Sequence, residues 1–150
     1  MKPRSRVQTH DVFSKEKRSE VMSRIRGKGN RDTELRLLSI FREFRIRGWR
    51  RNARVFGKPD FVFPHERLAV FVDGCFWHRH KGCKFAYVPK SRLEFWLPKF
   101  ENNVARDRVV GRELRKSGWK ILRIWECQLN RKHRFRIARR IARLRASDKY

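Results

Sequence analysis

Leu68-Ala69-Val70-Phe71-Val72-Asp73-Gly74-Cys75-Phe76-Trp77-His78-Arg79-His80-Lys81-Gly82-Cys83 joins two unlike pieces of chain. Leu68 to Val72 is apolar without alternation, so a strand built from it has both faces covered. Asp73 to Cys83 packs an acid, two cysteines, two histidines and two adjacent aromatics into a polar loop. The loop therefore offers a metal cage, an active-site edge and an aromatic wedge at the end of a buried strand.

Outward from this stretch, Gly57-Lys58-Pro59 is a turn signal and Asp60-Phe61-Val62-Phe63 a strand; Pro64 to Arg67 turns the chain back into Leu68. Trp119 to Trp125 is a third core strand. Helical spacing recurs between and around the strands. Ser14 caps a helix with Val21, Met22 and Ile25 in phase, broken by Gly27-Lys28-Gly29-Asn30. A second helix starts near Asp32 or Thr33 and carries Leu37, Leu38, Phe41 and Phe44 as one stripe. Ser91 to Leu97 begins helically. Pro98 suits the first turn of a new helix that runs to about Lys116, with Gly118 ending it. Arg134 to Arg145 reads as a terminal basic helix. The expected division is a flexible basic arm over 1–13, one domain over 14–130, and a basic helix and tail over 131–150, with no internal repeat or linker.

The 150 residues suffice for one domain with a real core, and 39% apolar content argues against global disorder. No apolar run approaches a membrane span and no signal-peptide core follows Met1, so a cytoplasmic protein is expected, with no membrane partner. Lys and Arg number 41 against 15 Asp and Glu, a net charge of +26. That excess costs stability through self-repulsion, which a polyanionic partner relieves, and it points to nucleic acid. Three cysteines make a poor disulfide framework and a better metal site.

Cys75, His80 and Cys83 have the spacing Cys-x4-His-x2-Cys, and Cys127 follows the third core strand as a candidate fourth ligand. Such a closed sulfur and nitrogen set suits structural zinc; the alternative is ordinary thiols and a surface histidine. Asp60 begins one strand and Asp73 ends the next. A four-residue turn pairs Phe63 with Leu68 and sets Asp60 opposite Phe71. Both acids then share a face, about 7–8 Å apart as diagonal neighbours. Hydrated Mg²⁺ can sit between such carboxylates, although both also suit strand-end turns. Glu34 shares the apolar stripe of its helix and needs a partner, or merely complements the helix dipole. Asp107 lies between Arg106 and Arg108, where an ion pair is the simple reading. His78 falls outside the best ligand spacing and lies near Asp73, where an imidazole can take a proton from an attacking water. Phe76 and Trp77, exposed in a polar loop, suit insertion into a base stack. Trp96 could do the same or anchor its helix, and Phe95 reads as core packing.

Taken together, Gly57-Lys58-Pro59-Asp60-Phe61, Asp73 to His78, Phe95-Trp96-Leu97, Asn103 to Asp107, Gly118-Trp119 and Trp125-Glu126-Cys127 resemble the very short patch repair (Vsr) endonuclease family over residues 14–130. The resemblance implies an α/β, restriction-endonuclease-like fold, a mixed central sheet flanked by helices with one structural zinc. It implies Mg²⁺-dependent nicking of one strand of double-stranded DNA 5′ to the thymine of a T:G mismatch, the product of 5-methylcytosine deamination. By position, Asp60 matches the metal-binding catalytic aspartate and Val72 the residue whose backbone carbonyl also holds metal. His78 matches the general base, Asp107 its supporting acid and Glu34 an acidic neighbour of the site. Cys75, His80, Cys83 and Cys127 match the zinc ligands. Phe76, Trp77 and Trp96 match intercalating aromatics, and Met22 a residue presented to DNA from the other groove. Asp73 stands where some members have histidine, which bears on metal affinity or the proton path. One extra residue separates His80 from Cys83.

The reading is a mismatch-directed nickase acting as a monomer on DNA, in a bacterial cytoplasm at the nucleoid. The rival readings are a zinc-stapled binding module without catalysis, and a related nickase without mismatch preference. The module leaves Asp60, Asp73 and Glu34 without a purpose, since carboxylates facing phosphate repel it unless a cation intervenes.

Overall fold

The computed structural model describes residues 31–147; the expected basic arm, the Ser14 helix and Met22 lie outside the described residues. The described elements are α1 (Arg31–Glu43), β1 (Arg50–Arg51), β2 (Phe61–Phe63), β3 (Leu68–Asp73), α2 (Leu93–Lys116), β4 (Lys120–Trp125) and α3 (Arg134–Ala146). Short 3₁₀ turns at Glu126–Gln128 and Arg131–His133 join β4 to α3.

The strands form one mixed sheet in the order β1-β2-β3-β4. β1 and β3 both run antiparallel to β2, while β3 and β4 run parallel, with α2 as the long connection that a parallel pair requires. The Pro64–Arg67 turn gives the register its length predicts: Phe63 faces Leu68 and Phe61 faces Val70. The two-residue edge strand β1 was not anticipated, because two exposed arginines carry no apolar period.

Strand parity sorts the core into two layers. On one face Phe61, Phe63, Leu68, Val70, Leu122 and Ile124 meet Leu37, Ile40 and Phe41 of α1 and Ile137 and Ile141 of α3. On the other, Ala69 and Phe71 meet Val110 and Leu114 of α2, with Trp119 and Ile121 at the margin. Each such large side chain contributes about 1.5–3 kcal/mol on burial. The sheet is thus covered on both sides, as the unbroken apolar run of β3 requires.

α2 corrects the expected break at Pro98: one helix runs from Leu93 through the proline. The ring removes the amide that would bond the Glu94 carbonyl, and it does so in the helix's second turn, where Glu94 and Leu97 are exposed and water can take over. Gly118, at φ 79°, closes the other end, with its amide donating to the Arg115 carbonyl and the Trp119 amide to that of Leu114.

Gly57 (φ 74°) sits in the turn that launches Asp60, and a Cβ there would lie 2.2 Å from a Val110 methyl of α2. Gly57→Ala combines a left-handed backbone with a core clash. It should cost about 2–4 kcal/mol in urea unfolding and lower activity with it. An unchanged midpoint would mean that the turn is not packed against α2.

Candidate functional site

The site forms where β2 runs out. In β3, alternate residues direct both N–H and C=O to the same neighbour. The Arg67 carbonyl accepts from the Lys120 amide, on the β4 side, so Leu68, Val70 and Val72 point toward β2. Residue 59 would face Val72, but β2 begins only at Phe61. The Asp60 carboxylate fills the gap, with the Val72 amide donating to Oδ2 at 2.7 Å. The Val72 carbonyl points to that same side. Glu34, only 7% exposed in the first turn of α1, approaches from the other layer and pairs with Arg51 of β1.

Burial pushes the Asp60 carboxyl up to about 6, against the Val72 amide, which favours the anion. The Glu34 and Asp73 carboxylates contribute to that rise. An acid held this way binds a cation and a proton in competition.

Across β3, Asp107 of α2 reaches His78, with Nδ1 and Oδ2 2.7 Å apart. This contact joins Asp107 to the histidine that the family resemblance pairs it with, and not to Arg106 or Arg108 as the simple ion-pair reading had it. With Nδ1–H donating to Asp107, Nε2 keeps its lone pair. It faces the Asp73 Oδ1 at 3.9 Å, beyond hydrogen-bond range. Burial pushes the His78 pKa down, but the Asp107 bond and the charges of Asp73 and Asp107 outweigh it and Arg123, for a net rise.

Arg123 is the residue that the sequence reading missed. Its Nη1 meets Asp73 Oδ2 at 2.5 Å and lies 3.7 Å from Asp107 Oδ1, while Nη2 donates to the Asp107 carbonyl at 3.4 Å. Its guanidinium lies over the Phe71 ring. The available signal was an arginine inside the otherwise apolar run Ile121-Leu122-Arg123-Ile124, where burial demands a partner. Asp73, 3% exposed, is therefore an ion-paired acid.

Cys75, His80, Cys83 and Cys127 bring one ligand atom each within 4.8 Å of one another. His80 Nδ1 lies 3.6 Å from the Cys75 sulfur and 3.4 Å from that of Cys127. Tetrahedral ligands at about 2.3 Å for sulfur and about 2.05 Å for nitrogen would be about 3.6 Å apart, so the donors fit zinc. The extra residue before Cys83 is absorbed by a turn in which the Cys83 amide donates to the His80 carbonyl. Trp125 stacks on the His80 ring, 4.2 Å between centroids and 7° between planes, and fixes its orientation. Burial pushes the Cys75 thiol up to about 12 and also raises that of Cys127, while the Phe85 amide lowers Cys83. Metal binding there would require these thiols as thiolates and would therefore release protons and weaken at low pH.

Phe76, Trp77 and Trp96 are half-buried around Phe100, with neighbouring ring centroids 5.1–5.9 Å apart. Phe95 is 43% exposed, contrary to the core role expected of it; Phe100, 5% exposed, is the anchor. Arg79 staples the loop: it donates to the carbonyls of Phe76, Ala86 and Tyr87 and lies over the Phe100 ring.

Residues 10–84 match the family model described as DNA mismatch endonuclease Vsr. The DNA mismatch endonuclease Vsr of Escherichia coli is 42% identical over 125 residues, covering 79% of this chain and 75% of that protein. The type II nicking enzyme V.XorIIP of Xanthomonas oryzae is 41% identical over 80% of this chain and 87% of its own. V.NmeAIP, a type II nicking enzyme of Neisseria meningitidis, is 40% identical over 81% and 86% respectively.

The chain belongs to the Vsr family. As a Vsr-family protein it is a DNA endonuclease. The matched residues hold Asp60, His78 and three of the four sulfur and nitrogen donors, while Asp107, Arg123 and Cys127 come from further along. Among the described residues, no helix is long and apolar enough to cross a membrane.

Two predictions test this geometry. This Vsr-family chain should purify with one zinc per molecule, and Cys75→Ser or Cys127→Ser should lose both the metal and much of the thermal stability, because metal binding energy is folding energy here. A zinc-free wild-type protein on metal analysis would refute the cluster. Asp60→Asn should stabilise the protein in a pH-dependent way. With its folded pKa above the ordinary value of 3.8, the acid's contribution is fully present below about pH 4 and is lost as pH rises through about 6. The loss reaches about 3 kcal/mol by pH 8. In melts without added divalent cation, the variant should match wild type near pH 4 and exceed it by on the order of 6–12 °C at pH 8. A gain independent of pH would rule out the burial of Asp60.

Proposed function

We propose that this chain nicks one strand of duplex DNA 5′ to the thymine of a T:G mismatch, in a Mg²⁺-dependent hydrolysis. The observation that carries the reading is a convergence at one end of β3. Asp60 and the Val72 carbonyl lie to one side, the His78–Asp107 pair to the other, and the aromatic cluster follows in the same loop. The two-layered mixed sheet suits the restriction-endonuclease-like architecture that the family resemblance implies, and the surface charge suits a monomer that grips DNA in a bacterial cytoplasm.

Asp60 and the Val72 carbonyl would hold the Mg²⁺, which when bound polarises the scissile phosphate and stabilises the leaving oxygen. Asp107 fixes the His78 tautomer so that Nε2 accepts the proton of the water whose oxygen attacks phosphorus, as the phosphorus–oxygen bond to the leaving strand breaks. Arg123 neutralises Asp73, which would otherwise repel the phosphate and bind His78 more tightly in its protonated form. Glu34, tied to Arg51, adds negative charge beside Asp60, which would strengthen its hold on a cation. Zn²⁺ on Cys75, His80, Cys83 and Cys127 would be structural, since four protein donors leave no open position. Met22 is proposed, by family position alone, to contact DNA from the opposite groove.

The aromatic cluster supplies the selectivity. Phe76, Trp77 and Trp96 can enter a base step, and a mismatched step costs less to open than a paired one. A non-catalytic module would not require the buried carboxylates, whereas a nickase indifferent to mismatches would share every feature except this cluster's role.

Nicking of duplexes carrying T:G, T:A or C:G at one position, with Mg²⁺ and with none, tests the reading. Cleavage confined to T:G with Mg²⁺, and abolished by Asp60→Asn, is expected; equal cleavage of T:A would favour the indifferent nickase. Trp77→Ala probes the wedge. Stacking on a base contributes roughly 1–3 kcal/mol, so T:G nicking should fall by one to a few powers of ten in single turnover. Affinity for matched duplex should change far less. Equal losses on both duplexes would make Trp77 a packing residue.

A further inference from the structure

From Cys127 to Ser147 the chain has no Asp or Glu and is dense in Lys and Arg. α3 sorts these cations by face. Ile137, Ala138 and Ile141 are buried against the sheet. Arg134 pairs with Glu43 at 2.6 Å and Arg145 with Glu66 at 2.7 Å, which ties the helix down at both ends. Besides Arg131, five remain: Lys132 in the preceding 3₁₀ turn, and Arg136, Arg139, Arg140 and Arg143 on α3. At 100° per residue the four on α3 fall within about 100° of arc on the side away from the core, in a stripe about 10 Å long that Lys132 precedes. All but the half-buried Arg140 are exposed, and none of the five is in an ion pair among the described residues.

Folding alone does not favour this arrangement. Like charges three and four residues apart repel along the whole stripe. Arg134 and Arg136 sit in a first turn that holds no acid, at the end of the helix dipole that favours anions. The stripe also has a direction. Cys127 lies two residues past β4, so the Lys132 end of the stripe is a few residues along the chain from the cysteine and histidine cluster beside the aromatic loop. Arg145 bonds Glu66, in the turn at the opposite end of β3 from Asp73. The stripe therefore runs away from the candidate cleavage site.

We propose that the outer face of α3 is a second DNA-binding surface that holds the sugar–phosphate backbone of the duplex flanking the nicked position. The occupant is a phosphate backbone and carries no base code, because the stripe offers cations with no exposed Asn, Gln or acid among them. This inference deepens the endonuclease reading by supplying its contact outside the mismatch.

The test uses the full chain and a Lys132→Gln/Arg136→Gln/Arg139→Gln/Arg143→Gln variant, with zinc content and circular dichroism confirming the fold. Binding is measured against T:G duplexes of about 12 and about 30 base pairs across a salt series. Each phosphate contact contributes about 0.9 to the log–log salt slope. The wild type should bind the long duplex more tightly and with a steeper slope. The variant should lose most of that gain, about 2–4 in slope, while single-turnover nicking of saturating short duplex stays within about twofold. Replacing the same positions with arginine or lysine only should retain the gain. A variant with the wild-type slope on the long duplex overturns the proposal, whether the stripe then serves RNA, an acidic protein or nothing. Failure of the nuclease reading would appear separately, as absent nicking by the wild type on both lengths.

Discussion

The Val72 amide has no β2 backbone to meet, and it takes the Asp60 carboxylate instead. Much of the site follows from that substitution. A hairpin that continued for two more residues would satisfy Val72 with backbone, and Asp60 would be an ordinary ladder residue. Because the strand stops, an acid is drawn beneath the sheet, loses water, and titrates near 6. The same break leaves the Val72 carbonyl on the acid's side. The proposed cation site of one carboxylate and one carbonyl would thus arise from the register of a hairpin and the placement of Gly57 against Val110.

The cysteine and histidine cluster acts at a right angle to this. Cys75 follows β3 and Cys127 follows β4, so a metal on both would brace the ends of two parallel strands. His78 lies between the ligands Cys75 and His80, and Asp107 must reach it from α2. A loop with the motion of a free polar segment would smear that 2.7 Å contact. The Arg79 staple and the Trp125 stack act in the same sense without metal, which divides the ordering of the loop among three devices.

Much of this was legible in the sequence, where local chemistry decides it. The length of the Pro64–Arg67 turn fixed the Phe63–Leu68 register, and the loop spacing picked out three of the four donors, with Cys127 after the third core strand as the fourth. Contacts across the sheet were not legible from local chemistry. Arg123 lies on another strand, 50 residues from Asp73, and no spacing reveals it; Asp107 was tied to His78 only through the family resemblance, while its neighbouring arginines suggested a simple ion pair. Phe95 was misjudged for a related reason: a continuous helix through Pro98 sets the phase of the aromatics, turning Phe100 inward and Phe95 outward. Residues beyond 131, expected to be a basic helix and tail, supply Ile137 and Ile141 to the main core, so their charge and their packing are borne by opposite faces of one helix.

If the aromatic cluster senses mismatches as proposed, it gains from being assembled before it meets DNA. An isolated tryptophan on a polar loop would lose its rotamer freedom at the moment of insertion, which subtracts from binding. Here Phe76 packs edge-on against Trp77, Trp96 and Phe100, and Lys99 lies over Trp77. Most of that ordering is therefore settled in folding, and the exposed edges are held in place by Phe100 and by the Arg79 staple. A rigid wedge has little give, so the energy needed to open a base step falls on the DNA. In the proposed mechanism the difference between a weak step and a strong one would then pass almost undiminished into the rate, whereas a flexible wedge would absorb part of it by refitting.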